Sequence, residues 1–177
     1  PFADSINQLA GVRTRHRHVF SKGIHLVVKR VSQVSRVLSF FADDGRPLFV
    51  IPTGDRSSIG TTDTPVDQPE THVTERDRRF VLDNINRALG TPGKLTPADV
   101  ISERCGVRAL AVSGVVDEGQ DFLQLSRRHT VEVDRAHGMV TIFGGKLTSC
   151  LSVGREIKTH VLALLDRANE NRRDGWF

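Results

Sequence analysis

From Gly23 onward the chain alternates short apolar runs with polar breaks. Ile24-His25-Leu26-Val27-Val28 is rich in β-branched residues with one polar insertion, the pattern of a largely buried strand. Val37 to Ala42 and Pro47 to Ile51 repeat the pattern, and Asp43-Asp44-Gly45 between them predicts a β-hairpin with a short glycine turn. Ser57 to Thr62 supplies a further candidate strand. Thr74 then caps a helix running to about Leu89, with Asp77 in its first turn and Gly90 as its stop. Val81, Ile85, Ala88 and Leu89 give that helix one apolar face. Thr96-Pro97 opens a shorter helical turn. Beyond Cys105 the apolar runs near 107–112, 122–125, 130–133 and 139–143 predict strands, the last two joined at Gly138. A final helix is expected from about Ser149, with Val153, Ile157, Val161, Leu164 and Leu165 as its apolar stripe and Arg155, Lys158 and Arg167 outward. Residues 1–20 carry apolar positions too scattered to define a long element, and 169–177 read as a frayed tail. The predicted fold class is α+β, a mixed and largely antiparallel sheet with flanking helices.

A chain of 177 residues can bury one domain, or one and a part. No uninterrupted apolar run approaches the roughly 18–20 residues that span a bilayer, and the start has no signal-peptide pattern. The chain opens at Pro1-Phe2 without an initiator Met, which predicts an excised fragment. Cys105 and Cys150 show neither metal-ligand spacing nor a CxxC, so free thiols and no metal are expected. The net charge of +4 is unevenly placed, densest at Arg13-Thr14-Arg15-His16-Arg17-His18 and then Lys22. A solvated loop explains that run, and a small anionic ligand or anionic lipid headgroups would suit it equally. Nucleic acid is disfavoured, because no aromatics for base stacking are interleaved and the rest of the chain is not basic.

Candidate chemistry concentrates at Gly144-Gly145-Lys146-Leu147-Thr148, between a predicted strand and a predicted helix. Backbone N–H groups and a helix N-terminus there would attract electron-rich oxygen. A Walker loop is excluded, since Val140 stands where its first glycine belongs and Leu147 where Ser or Thr must follow the lysine. A ligand-facing turn and a tight strand–helix corner both remain. Gly106-Val107-Arg108 and Ser126-Arg127-Arg128-His129 put guanidinium groups at predicted strand edges, where an Arg fork can bind phosphate or simply lie on the surface. His25 reads as a hydrogen-bonded core histidine or as a proton carrier. Gly60-Thr61-Thr62-Asp63 is either a pocket-facing strand end or a local turn.

Taken in order, Ser21-Lys22-Gly23-Ile24-His25-Leu26-Val27-Val28, Pro47-Leu48-Phe49-Val50-Ile51-Pro52, Ile59-Gly60-Thr61-Thr62-Asp63, Gly106-Val107-Arg108, Ser126-Arg127-Arg128-His129 and Gly144-Gly145-Lys146-Leu147-Thr148 resemble the FAD-dependent glycerol-3-phosphate dehydrogenases over residues 1 to about 165. The resemblance implies a substrate (cap) domain over 21–104, inserted into an FAD domain represented by a remnant at 1–20 and a returning segment at 105–168. It further implies that Arg108, Arg127 and Lys146 surround glycerol 3-phosphate, with His25 and Arg108 in catalytic roles. Gly144, Gly145, Leu147 and Thr148 match positions that touch the flavin, and the intact protein would pass electrons to quinone at the periphery of the inner membrane, on the cytoplasmic side. No GxGxxG follows a strand anywhere in the chain, so these residues alone are expected to retain FAD weakly and to be inactive. Ser149-Cys150-Leu151, Ala109 and Thr53-Gly54 depart from the family pattern near the expected pocket. An oxygen-using glycerol-3-phosphate oxidase and a non-catalytic anion-binding domain are the rival readings.

Overall fold

The computed structural model describes the backbone of residues 1–90, 93–114 and 127–174, with side chains to 167. The predicted strand at 122–125 lies outside the described residues. The elements run α1 (Ala3–Leu9), β1 (His16–Lys29), β2 (Leu38–Phe41), β3 (Pro47–Thr53), β4 (Arg56–Gly60), β5 (Thr64–Val66), α2 (Glu75–Leu89), β6 (Val100–Ser113), β7 (His129–Asp134), β8 (Met139–Gly144) and α3 (Cys150–Asp174). The fold is mixed α and β with antiparallel strand pairing. It divides into two compact units, a contiguous one at 20–108 and a split one made of 1–19 and 109–177.

In the contiguous unit the strands lie in the order β2-β3-β4-β1-β5, and β6 also pairs with β1. Register explains the burial. Leu26 faces Ile59, Ile59 faces Val50 and Val50 faces Leu38, so one cross-strand row holds only apolar side chains. The next row runs His25, Gly60, Phe49, and its side chains leave the opposite face of the sheet. Ile24, Leu26 and Val28 are therefore fully buried while His25 is half-buried. Helix α2 covers the apolar face through Val81, Leu82 and Ile85. Burying each such side chain contributes about 1.5–3 kcal/mol relative to exposure.

Helix α2 keeps its predicted limits because its ends are locally coded. The Thr74 hydroxyl accepts from the Asp77 N–H, the Asp77 carboxylate accepts from the Thr74 N–H at 2.8 Å, and Gly90 takes the left-handed C-cap. Leu82 belongs to its buried face and Ala88 does not. Asp77 also corrects the reading of Lys22, which is not part of a solvated basic run. Lys22 shares the core-facing parity of Ile24 and Leu26, is 4% exposed, and donates to Asp77 Oδ2 at 2.5 Å.

In the split unit β7 and β8 form a hairpin, Val131 opposite Ile142 and Val133 opposite Val140, closed by Gly138 at φ +62°. Four expectations change. Residues 3–9 are helical, and β1 begins already at His16. Strand β6 begins at Val100, so Arg108 sits within a strand and not at its edge. Arg127 and Arg128 precede β7 outside any strand. Helix α3 continues through Asp174, so 169–174 are helical where a frayed tail was expected. Its stripe is only partly covered: Val153, Ile157 and Leu164 are half-buried, whereas Val161 and Leu165 are exposed. Among the described residues no helix is long and apolar enough to cross a membrane.

Candidate functional site

Two cavities, one in each unit, hold four of the predicted site residues, His25 and Arg108 in one and Arg127 and Lys146 in the other, while Gly144, Gly145, Leu147 and Thr148 line neither. In the contiguous unit a cavity of about 370 Å³ is lined by Gly23, His25, Thr61, Arg104, Cys105, Gly106, Val107 and Arg108. Strand parity delivers this set, because Gly23 and His25 alternate with the core residues of β1. The Arg108 guanidinium is held by the Thr62 carbonyl at 3.3 Å, the Thr61 hydroxyl at 3.2 Å and the buried Asp63 carboxylate at 3.6 Å. Asp63 also accepts from the Ser21 hydroxyl. A Cβ on Gly23 would lie 2.5 Å from Arg108 Nη2, so the guanidinium occupies the space that glycine leaves. Gly60 is equally constrained, since its Cβ would meet the Ile24 carbonyl oxygen at 2.6 Å.

The His25 imidazole has no hydrogen-bond partner among the described residues. Burial lowers its pKa below 6.5, and the nearby charges of Arg108 and Arg104 lower it further. The imidazole is therefore neutral at pH 7 and able to accept a proton. Burial pushes the Cys105 thiol up, against the opposing charge of Lys22, so it stays protonated and is a poor nucleophile. Cys105 and Cys150 are both free thiols.

In the split unit a cavity of about 430 Å³ is lined by Arg127, Arg128, His129, Lys146, Ser149 and Ser152. Three cationic side chains around one hollow suit an anion with several oxygens. His129 Nε2 meets Glu156 Oε2 at 2.7 Å, tying the start of β7 to α3 beside that hollow. The Gly144-Gly145 turn brings Lys146 there. Both glycines have positive φ, +66° and +96°. A Cβ on Gly144 would press on the Arg128 carbonyl oxygen at 3.0 Å, and one on Gly145 on the His129 Cβ at 3.1 Å. The turn's own packing thus requires both glycines, independently of any ligand.

After Lys146 a 3-10 turn at Leu147–Ser149 leads into α3. The first N–H groups of such a turn have no intrahelical acceptor and point along the helix axis. Leu147 is 89% exposed and Leu151 75% exposed at this corner. Backbone donors beside apolar side chains fit one edge and one face of a planar, electron-rich ring such as a flavin.

The structure thus brings Arg127 together with Lys146, and His25 together with Arg108. Arg104 and Ser152 line these cavities although no quoted motif contains them, and Gly23, Asp63, Arg128 and His129, quoted within motifs without a role of their own, also line or shape them. The signal for Arg104 was its place two residues before Gly106-Val107-Arg108; Ser152 had none.

Comparison with known proteins adds an independent line. Residues 1–151 match the family model described as FAD dependent oxidoreductase. The chain is 38% identical over 150 residues to glycerol-3-phosphate dehydrogenase 2 of Mycobacterium tuberculosis, a match covering 84% of this chain and 24% of that protein. It is 30% identical over 174 residues to the aerobic glycerol-3-phosphate dehydrogenase of Bacillus subtilis, covering 96% of this chain and 30% of that one. The fold superposes on the solved glycerol-3-phosphate dehydrogenase of Bacillus halodurans complexed with FAD, with a TM-score of 0.74 at 27% identity, over 93% of this chain and 31% of that chain. The chain spans about a quarter of the length of the mycobacterial relatives it matches.

Proposed function

Because the chain belongs to the FAD-dependent oxidoreductase family, we propose that the intact protein oxidises sn-glycerol 3-phosphate to dihydroxyacetone phosphate. The observation that carries the proposal is the cavity shared by Arg127 and Lys146 immediately beside the Gly144-Gly145 turn. Such a cavity is a site for a phosphate dianion next to a corner suited to a flavin. In this reading the split unit is part of the FAD-binding domain and the contiguous unit is the substrate domain. FAD, when bound, supplies the hydride acceptor.

The chain's own residues then have distinct tasks. Arg127 offers two parallel charge-assisted hydrogen bonds to phosphate oxygens, and Lys146 adds a compact charge that needs no fixed fork. Arg108, held by Thr61, Thr62 and Asp63, presents its guanidinium to the substrate oxygens. His25, neutral at pH 7, accepts the hydroxyl proton as the carbinol loses its hydride. Gly145, Leu147 and Thr148 would meet the flavin edge when FAD is bound, and the helix N-terminus there would favour negative charge. Electrons pass on to quinone at the membrane periphery, and the basic run Arg13 to Arg17 is compatible with anionic headgroups there. The 177 residues contain no strand-following GxGxxG, so by themselves they retain FAD weakly and do not turn over.

The test is anaerobic mixing of the FAD-loaded intact protein with sn-glycerol 3-phosphate. Bleaching of the oxidised flavin spectrum is expected with this substrate and not with glycerol. No bleaching rejects the reading. Quinone reduction against oxygen consumption then identifies the acceptor. The pH profile checks His25: kcat/KM should fall only below pH 6.5, where an imidazole of lowered pKa begins to protonate, and His25→Asn should abolish that limb.

A further inference from the structure

His18 lies on β1 with its side chain 3% exposed, deep in the split unit. The Asp4 carboxylate, on α1, accepts from both the His18 backbone N–H at 3.2 Å and the ring Nδ1 at 2.6 Å. An ionised carboxylate can only accept, so Nδ1 carries the proton. The Gly144 N–H donates to Nε2 at 3.3 Å, so that nitrogen presents its lone pair and the geometry fits the Nδ1–H tautomer. Phe143, fully buried, packs on the imidazole with ring centroids 5.1 Å apart. The far side of the same turn packs against the Arg128 carbonyl and Ala111, which a Cβ on Gly144 would crowd at 3.0 and 3.2 Å. One ring thus links α1 to the first residue of the turn that carries Lys146.

We propose that His18 is a positioning residue, a tautomer-locked strut whose Nε2 holds the Gly144 N–H and so sets the turn that presents Lys146 and the Leu147-Thr148 donors. A residue that merely fills a buried hole would be replaced adequately by any ring of the same size. A strut needs an acceptor at one specific place. Asp4 acts at one remove: by accepting the hydrogen bond from Nδ1–H it holds the proton on that nitrogen and keeps Nε2 an acceptor, as a carboxylate does for a metal-ligating histidine. The role assigned to the strut rests on the functional reading of the Gly144–Thr148 corner. Its geometry does not.

Both parts can be measured separately. In the 15N-labelled 177-residue chain, the His18 Nε2 resonance should be that of an unprotonated neutral imidazole nitrogen, with a through-hydrogen-bond coupling to the Gly144 amide nitrogen. A protonated Nε2, or an absent coupling, overturns the strut without touching the dehydrogenase reading. In the intact protein, His18→Gln keeps an acceptor within reach of Gly144 and should hold kcat/KM for sn-glycerol 3-phosphate close to wild type. His18→Phe keeps the ring and removes the acceptor, and should lower it by up to about 100-fold, the cost of a displacement near 1 Å at a reacting centre. Equal activity of the two variants overturns the positioning role. Absence of turnover in the wild-type protein overturns the functional reading, and the role with it, while the coupling still decides whether the strut exists.

Discussion

The two units are held together by different means. The contiguous unit buries a continuous apolar core from three strands and a helix, with Ile24, Leu26, Leu48, Val50, Ile59, Val81 and Ile85 almost wholly removed from water. Among its described residues the split unit buries few apolar side chains, chiefly Val12, Leu110, Val112 and Phe143, and joins its segments through polar links. His16 and Glu132, His18 and Asp4, and His129 and Glu156 each pair an imidazole with a carboxylate, and Thr141 donates to Asn7 at 2.8 Å. Much of its large apolar surface stays outside, at Leu147, Leu151, Leu162 and Leu165. A unit fastened mainly by hydrophobic burial is indifferent to pH, whereas one fastened by histidine–carboxylate pairs is not. The cavity around Lys146 is built on the second kind of support.

The largest expected effect tests a polar link inside the contiguous unit, the buried Lys22–Asp77 ion pair. Lys22→Met leaves the Asp77 carboxylate without its ammonium partner, and should cost about 3–5 kcal/mol in denaturant unfolding. A cost like that of a surface pair would show that apolar burial alone sustains this unit and would make the contrast sharper still.

A smaller effect tests the polar fastening of the split unit. Burial alone would raise the Glu132 pKa, but the N–H groups of Arg15 and His16 and the His16 ring outweigh it and hold the carboxyl below its ordinary 4.5. A depressed carboxylate pKa contributes stability that is fully present above 4.5 and is lost as pH falls through the lowered value. Glu132→Ala should therefore cost about 1.5–3 kcal/mol at pH 7 and progressively less below pH 4.5. A penalty that does not change with pH would break the contrast between the units.

How far these features could be read from sequence follows the same division. The limits of α2 were legible because Thr74, Asp77 and Gly90 lie within or beside the helix they terminate. The hairpin at Gly138 and the strand at Pro47 to Thr53 were legible from local alternation and turn residues. The start of β1 was not, because His16 and His18 look like solvated charge until Glu132 and Asp4 satisfy them from outside the strand. Lys22 was misread for the same reason, its partner lying 55 residues away. The cavity residues were legible through ordered motifs, but their supports were not. Nothing local indicates that Gly23 makes room for Arg108 or that Gly144 donates to His18.

The smallest expected stability change isolates one of those supports. Gly23→Ala puts a methyl group where the Arg108 guanidinium lies, and the end of a long side chain can move aside. Unfolding free energy should shift by less than about 1 kcal/mol, while the Arg108 hydrogen bonds to Thr61 and Thr62 are lost in a crystal structure of the variant. A large loss of stability with Arg108 unmoved would show that the backbone, and not the side chain, yields.

The account turns on whether the cavity of Arg127 and Lys146 grips the phosphate of the substrate. Its most direct test is the KM for sn-glycerol 3-phosphate in the intact Arg127→Ala and Lys146→Ala proteins. Each variant should raise KM at least about tenfold, the equivalent of 1.4 kcal/mol of lost binding, with kcat largely retained. Unchanged KM in both variants would contradict the account.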